Sequence, residues 1–289
     1  MSLSFEPEEL QYKKIYKVPS VITGFNEKPD GFRPTTLVAL LDTETTGLDT
    51  SKDEVIELGY LIIEIDDEGR FYDVVKRFNQ LQQPSTPLSP EITEVTGLTD
   101  EDLEGHSINW SEVESDLDNV SLIVAHNAGF DRKIMERYSQ VSKNRLWGCS
   151  VNDIDWKALG QKNRSQEWLV YAIGGCYYDA HRALDDVNAL SLLLSRTPDE
   201  SDRPIFYELL QRSQQDLCII KATGSHFDEK DALKAIGYRW NTQERVWYKE
   251  VLASEFESDK EAIKQQLMQA APSCKPTMGR VPAIRRYAV

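Results

Sequence analysis

Two short, unbroken apolar runs, Leu37–Leu41 (LVALL) and Leu122–Ala125 (LIVA), constrain the fold most tightly. A strand without polar alternation is buried on both faces, which requires layers on either side of a sheet. Val55–Ile65 and Phe71–Phe78 read as two further strands, joined by the turn Asp66-Asp67-Glu68-Gly69-Arg70. Phe130, Ile134 and Tyr138 are spaced as on a helix, and Trp168–Ile173 reads as helical up to Gly174-Gly175. Ala183–Ser195 sets Val187, Leu190, Leu193 and Leu194 on one helical face. A meander followed by alternating helices and strands predicts an α/β domain with a mixed sheet. Residues 79–110, with Pro84, Pro87 and Pro90, read as loop-rich, with a helix start at Thr99-Asp100-Glu101-Asp102.

Residues 1–34 read as an irregular N-terminal arm and 35–197 as the main domain. The stretch 198–204 is Pro- and acid-rich and reads as a linker. Residues 205–269 read as a small α+β accessory domain. It has a strand at Leu217–Ala222, a helix at Asp228–Ile236 stopped by Gly237, and a hairpin of Tyr238–Trp240 and Val246–Lys249. There Lys221, Lys230, Lys234, Arg239, Arg245 and Lys249 interleave with Tyr238, Trp240, Trp247 and Tyr248. That pattern suits either stacking on a single strand or a small aromatic core. Residues 270–289 hold Lys275, Arg280, Arg285 and Arg286 and no acid, and read as a basic tail.

The formal net charge of -15 repels phosphate backbones and disfavours a broad duplex-gripping surface. An enzyme that takes a strand by its end through bound cations remains allowed. The four cysteines are too widely spaced for a zinc site or a disulfide framework, which points to reduced thiols in the cytoplasm. No apolar run reaches the length of a membrane span, and Met1–Leu10 lacks the apolar stretch of a secretory signal.

Three carboxylate constellations stand where carboxylates are costly. Asp42 ends the LVALL run, and Asp42 and Glu44, two apart on a strand, face one side. Asp131, in His126-Asn127-Ala128-Gly129-Phe130-Asp131, shares a helical face with Ile134, Met135 and Tyr138. Asp186, in His181-Arg182-Ala183-Leu184-Asp185-Asp186, has Leu190 and Leu193 at i+4 and i+7, whereas Asp185 leans toward Ala189 and Leu192. Taken singly, a solvated turn or a helix cap explains each. Taken together, they lie at strand ends and helix starts, where α/β sheets put their sites. Four carboxylates with one nearby histidine suit hard, oxygen-preferring cations such as Mg²⁺ or Mn²⁺.

DTETTG, HNAGFD and HRALDD, in this order and spacing, resemble the three motifs of the DEDDh 3′–5′ exonucleases, the group that includes proofreading epsilon subunits. The likeness covers about residues 36–196, with GLTDEDL (Gly97–Leu103) and Trp147–Cys149 fitting weaker signature segments. It implies a ribonuclease-H-like mixed sheet flanked by helices. It also implies that Asp42, Glu44, Asp131 and Asp186 bind two divalent cations and that His181 is the general base. Two such ions ~3.5–4 Å apart clamp an in-line phosphoryl displacement.

By the same resemblance Thr45, Thr46 and Leu48 cradle the terminal nucleotide, with Ile92 and His181 flanking it; packing in the core is the alternative for Leu48. Asn127 and Phe130 shape the site, with Asn127 bonded to the backbone around Asp42. Many relatives carry a histidine where this chain has Gly97, so no phosphate contact is expected there. The reaction implied is release of nucleoside 5′-monophosphates from a 3′ end, with single-stranded DNA favoured and a polymerase or repair partner at the C-terminal region. The alternatives are an RNA-trimming or short-oligonucleotide enzyme, a cyclic or dinucleotide phosphodiesterase, and a non-catalytic polymerase- or repair-associated scaffold.

Overall fold

A computed structural model describes residues 14–29, 36–242 and 244–288. After a two-residue strand, β1 (Tyr16–Lys17), comes an antiparallel meander of β2 (Thr36–Thr45), β3 (Val55–Ile65) and β4 (Phe71–Leu81). Helices α1 (Pro90–Thr96), α2 (Asp100–Leu103) and α3 (Trp110–Asp118) lead to β5 (Leu122–Ala125), which lies parallel to β2. Helices α4 (Ala128–Tyr138) and α5 (Gln140–Lys143) then lead to β6 (Leu146–Cys149), parallel to β5. The sheet order is β4-β3-β2-β5-β6. Helix α6 (Gln166–Leu169) widens into a π-turn over Val170–Gly174 and is followed by β7 (Cys176–Tyr177) and α7 (Ala183–Leu194).

This is the mixed, helix-flanked sheet of the ribonuclease-H-like fold. Val38 and Leu40 of β2 pack with Val187, Leu190 and Leu194 of α7. Ala39 and Leu41 pack on the other face with Ile134 and Met135 of α4. The apolar run is continuous because both faces are buried. The strand does not stop at Leu41. Asp42, Thr43 and Glu44 keep the ladder with β3, where Asp42 pairs Gly59 and Glu44 pairs Glu57.

The arm differs from the irregular segment expected over 1–34. Tyr16 and Lys17 pair with Cys176 and Tyr177, Val18 and Ile22 are buried, and Gly24 bridges Asp73. The arm positions before residue 14 and after residue 29 lie outside the described residues. The stretch 79–110 is more ordered than its prolines suggest. Pro90 opens α1, and Thr99 caps α2 reciprocally with Asp102.

Helix α8 (Phe206–Ser213) was expected in the accessory unit, yet Phe206, Leu209 and Leu210 join the core of the main sheet. The cause is Gly148 of β6, where a Cβ would lie 2.5 Å from Leu209 Cδ2, so α8 rests directly on that strand. The small unit itself comprises β8 (Leu217–Thr223), α9 (Lys230–Ala235), β9 (Arg239–Asn241), β10 (Val246–Leu252), α10 (Ala253–Ala270) and β11 (Lys275–Val281). Its sheet order is β11-β8-β10-β9.

The expected basic tail, 270–289, is therefore an edge strand followed by a turn. Every residue of β11 pairs with β8. Arg286 and the Tyr287 hydroxyl then reach the buried Asp153 beyond β6. An exposed edge strand lacks the apolar alternation that marks strands in sequence, which is why KPTMGRV went unread.

Candidate active site

Asp42, Glu44 and Asp186 each present a carboxylate oxygen within 4.8 Å of the other two. Strand alternation aims Asp42 and Glu44 at one side, and the first turn of α7 brings Asp186 to meet them. Asp186, rather than Asp185, is the member that joins. Tyr178 Oη and Gln166 Nε2 donate to its Oδ1 at 2.9 and 3.0 Å. The backbone N–H groups of His181 and Arg182 donate to its Oδ2 at 2.8 and 3.2 Å.

Asp131 lies outside that triad, on the first turn of α4, almost fully buried. Thr43, which faces away from Asp42 and Glu44 on the same strand, donates its hydroxyl to Asp131 Oδ1 at 2.9 Å. The charge of Asp131 still reaches the triad and raises the pKa of both Asp42 and Glu44.

All four carboxyls are shifted toward the protonated form. Burial, then the neighbouring carboxylates, pushes Asp42 well above the usual range. Burial and Asp186 push Glu44 up to about 8. Burial pushes Asp131 up to about 7 against the pull of the Thr43 hydroxyl. Burial also raises Asp186, opposed by the bond from Tyr178. Among the described residues no lysine or arginine ion-pairs with any of the four. Convergent, desolvated oxygen donors with no directly paired lysine or arginine among the described residues fit hard divalent cations.

His181 is exposed, just ahead of α7, with φ of 70°. A left-handed histidine is strained, and the two N–H bonds to Asp186 hold the loop there. Beside it, Arg182 forks onto Glu57 at 3.0 and 3.1 Å, and Ala183 N–H adds a third bond. Glu57 is fully buried on β3.

The expected nucleotide-contact residues lie on the loop after β2 and on α1. Thr45 is buried and donates to Gly47 O. Thr46 accepts from Glu54 N–H through its hydroxyl, whose proton has no acceptor among the described residues. Leu48 is 89% exposed, so it is not a core residue. Ile92 packs beside Ile56, Leu98 and Leu103. His126 is structural: Ser150 Oγ and Arg164 O meet its two ring nitrogens, and burial lowers its pKa to about 4. The side chain of Asn127 makes no hydrogen bond to the Asp42 backbone among the described residues; the backbone carbonyl of Asn127 accepts from Phe130 N–H at the start of α4.

Thr43, Gln166, Tyr178, Glu57 and Arg182 were not read from sequence. Glu57 carried a signal, as a lone acid within the apolar stretch VIELGY. The profile of the exonuclease family matches residues 39–194, which span all four acids and His181. The chain belongs to this family. Its motif order makes it a DEDDh-type exonuclease.

A PolC-type DNA polymerase III of Thermotoga petrophila is 34% identical over 172 residues, covering 54% of this chain and 11% of that protein. The DNA polymerase III epsilon subunit of Treponema pallidum is 29% identical over 154 residues, covering 50% of this chain and 68% of that protein. The chain therefore spans about a tenth of the PolC-type relatives it matches. E. coli Exonuclease I bound to a dT13 oligonucleotide is 15% identical with a TM-score of 0.47, covering 66% of this chain and 49% of that one. No helix among the described residues is long and apolar enough to cross a membrane.

Proposed function

We propose that this exonuclease-family chain removes nucleotides from the 3′ end of DNA, releasing nucleoside 5′-monophosphates, with Mg²⁺ or Mn²⁺ as cofactor. The observation that carries the reading is the convergence of Asp42, Glu44 and Asp186 oxygens within 4.8 Å. Asp42, Glu44, Asp131 and Asp186 would hold two divalent cations. When bound, those cations supply Lewis-acid activation of water and neutralise charge on the phosphate and the departing 3′-oxygen.

The remaining steps belong to side chains. His181, exposed beside the cluster, takes the proton of the attacking water at a ring nitrogen. Asp186 and the Glu57–Arg182 pair fix the backbone that carries that ring. Leu48, standing free of the core, offers an apolar face to the terminal base. Thr46 has a hydroxyl proton to donate, and Thr45 and Ile92 shape the walls around it.

Similarity to a PolC-type DNA polymerase III and to a DNA polymerase III epsilon subunit supports DNA over RNA and a role in replication proofreading or repair. Four free, buried cysteines support a reducing, cytoplasmic setting. Digestion of 5′-labelled DNA and RNA, single- and double-stranded, in Mn²⁺ tests the proposal, with Asp42→Ala as control. Stepwise shortening of DNA that is lost in EDTA and in the variant is expected. Products lacking a 5′-monophosphate, or undiminished cleavage by Asp42→Ala, would refute it.

A further inference from the structure

The C-terminal sheet is covered on one face only. Cys218, Ile220, Ala222 and Trp247 pack with Leu233 of α9 and with Phe256 and Leu267 of α10. Strand alternation turns Ile219, Lys221 and Thr223 of β8, and Tyr248 of β10, to the opposite face. β11 sets Thr277 and Lys275 beside Lys221 and Thr223, and β9 sets Arg239 beside Tyr248. The uncovered face is thus basic, hydroxylic and aromatic.

Part of this face closes into a groove of about 460 Å³ against the exonuclease unit. Lys221, Glu244, Tyr248 and Asn241 line it from the sheet, with Glu244 paired to Lys221, and Lys133, Arg285 and Tyr287 line it from the other side. Helix α4 fixes that far wall. Arg132, fully buried, donates to the carbonyls of Arg286 and Ile284 at 2.7 and 2.9 Å. Asp131 and Lys133 are two residues apart on α4 and so about 200° apart around its axis, which means that a strand running from the acid cluster to the groove passes around this helix.

Charge singles out this region. Residues 217–289 carry 12 Lys and Arg against nine Asp and Glu, whereas residues 1–216 carry 21 against 39. Seven of those nine acids lie in or beside the two helices on the covered face. The other two, Glu244 and Glu250, are ion-paired with Lys221 and Arg239. Lys133, Lys275 and Arg285 have no ion-pair partner among the described residues. A strand repelled by most of the molecule is attracted here.

We propose that this groove binds the single-stranded DNA that trails behind the 3′ end, with phosphates on Lys133 and Arg285 and a base stacked on Tyr248. Cation-lined grooves with an aromatic platform hold single strands without reading sequence. The inference rests on the exonuclease reading of the active site and extends it to a second contact region.

The test uses the full chain and two variants, Lys133→Glu with Arg285→Glu, and Tyr248→Ala. Fluorescence anisotropy of labelled dT20 in EDTA reads the groove without cleavage. Hydrolysis of the p-nitrophenyl ester of thymidine 5′-monophosphate in Mn²⁺ reads the catalytic centre alone, because that ester is too short to enter the groove. Each variant should bind dT20 about tenfold more weakly and raise its KM to match, with ester hydrolysis unchanged. The double variant should also flatten the salt dependence of binding by about two in log–log slope. Wild-type dT20 affinity in both variants, as a groove serving a protein partner would give, overturns the proposal, and so does a wild-type chain that does not bind dT20. A wild-type chain that binds dT20 through these residues but leaves the ester intact keeps the groove and rejects the catalytic reading.

Discussion

A Cβ on Gly59 would lie 2.6 Å from the backbone nitrogen of Leu184. Gly59 stands opposite Asp42 on the β2–β3 ladder, so the bare backbone of β3 is what lets the first turn of α7 settle beside Asp42. Asp186 rides on that turn. Gly59→Ala must push helix and strand apart, and overpacking of this kind costs about 1–3 kcal/mol. Both melting temperature and Mn²⁺ affinity, read by calorimetry, should fall. Wild-type Mn²⁺ affinity in the variant would break the link between this contact and the cluster.

The protonation of the cluster has a consequence for stability. Glu44 is raised to about 8 and Asp131 to about 7, both far above their unfolded values. Between about pH 4 and 8 these two groups therefore bind more protons in the metal-free folded chain than in the unfolded one and cost stability as pH rises, whereas His126, lowered to about 4, acts in the opposite sense below about pH 6.5. In EDTA the melting temperature should be lower at about pH 8 than at about pH 6.5, above the range in which His126 contributes. Mn²⁺ binds the ionised carboxylates, so its stabilising increment should grow over the same interval. A metal-free melting temperature that rises with pH across this window contradicts the shifts.

His181 is exposed, so replacing its ring should leave stability intact while removing the proton acceptor. Its φ of 70° makes asparagine, which tolerates the left-handed region, the cleaner substitution. His181→Asn should lower kcat by ~10²–10⁴ with little change in melting temperature or Mn²⁺ affinity. Turnover at the wild-type level would remove His181 from the mechanism.

The parts of the fold legible in sequence were those buried on a regular period. LVALL and LIVA form the central strands because both their faces meet helices, and the three motifs lie where those strands and helices end. The unread parts depend on partners far along the chain. Thr43 and Asp131 are 88 residues apart, and Arg182 and Glu57 are 125 apart. Neither pair has a local spacing to betray it. Helix α8 looked like the start of a new unit because a Pro-rich turn precedes it, but Gly148 on β6 leaves room for Leu209 and draws it into the first. β11 is an edge strand with mostly exposed side chains, and charge alone made it resemble a tail.

The C-terminal unit is fastened to the exonuclease core by a buried pair. Arg286 and Asp153 are each 2% exposed at the side chain. Asp153 also accepts from Cys149 N–H and the Tyr287 hydroxyl, both at 2.8 Å. Burial raises the Asp153 carboxyl, and Arg286 opposes that rise. Arg286→Ala leaves the carboxylate buried without its counter-charge, a loss of about 3–5 kcal/mol in comparable pairs. Asp153→Asn added to Arg286→Ala removes the stranded charge, so the double variant should recover part of the loss. Urea unfolding of the two single variants and the double variant measures the coupling. If the effects of the two substitutions simply add, the pair is not what holds the C-terminal segment to the core.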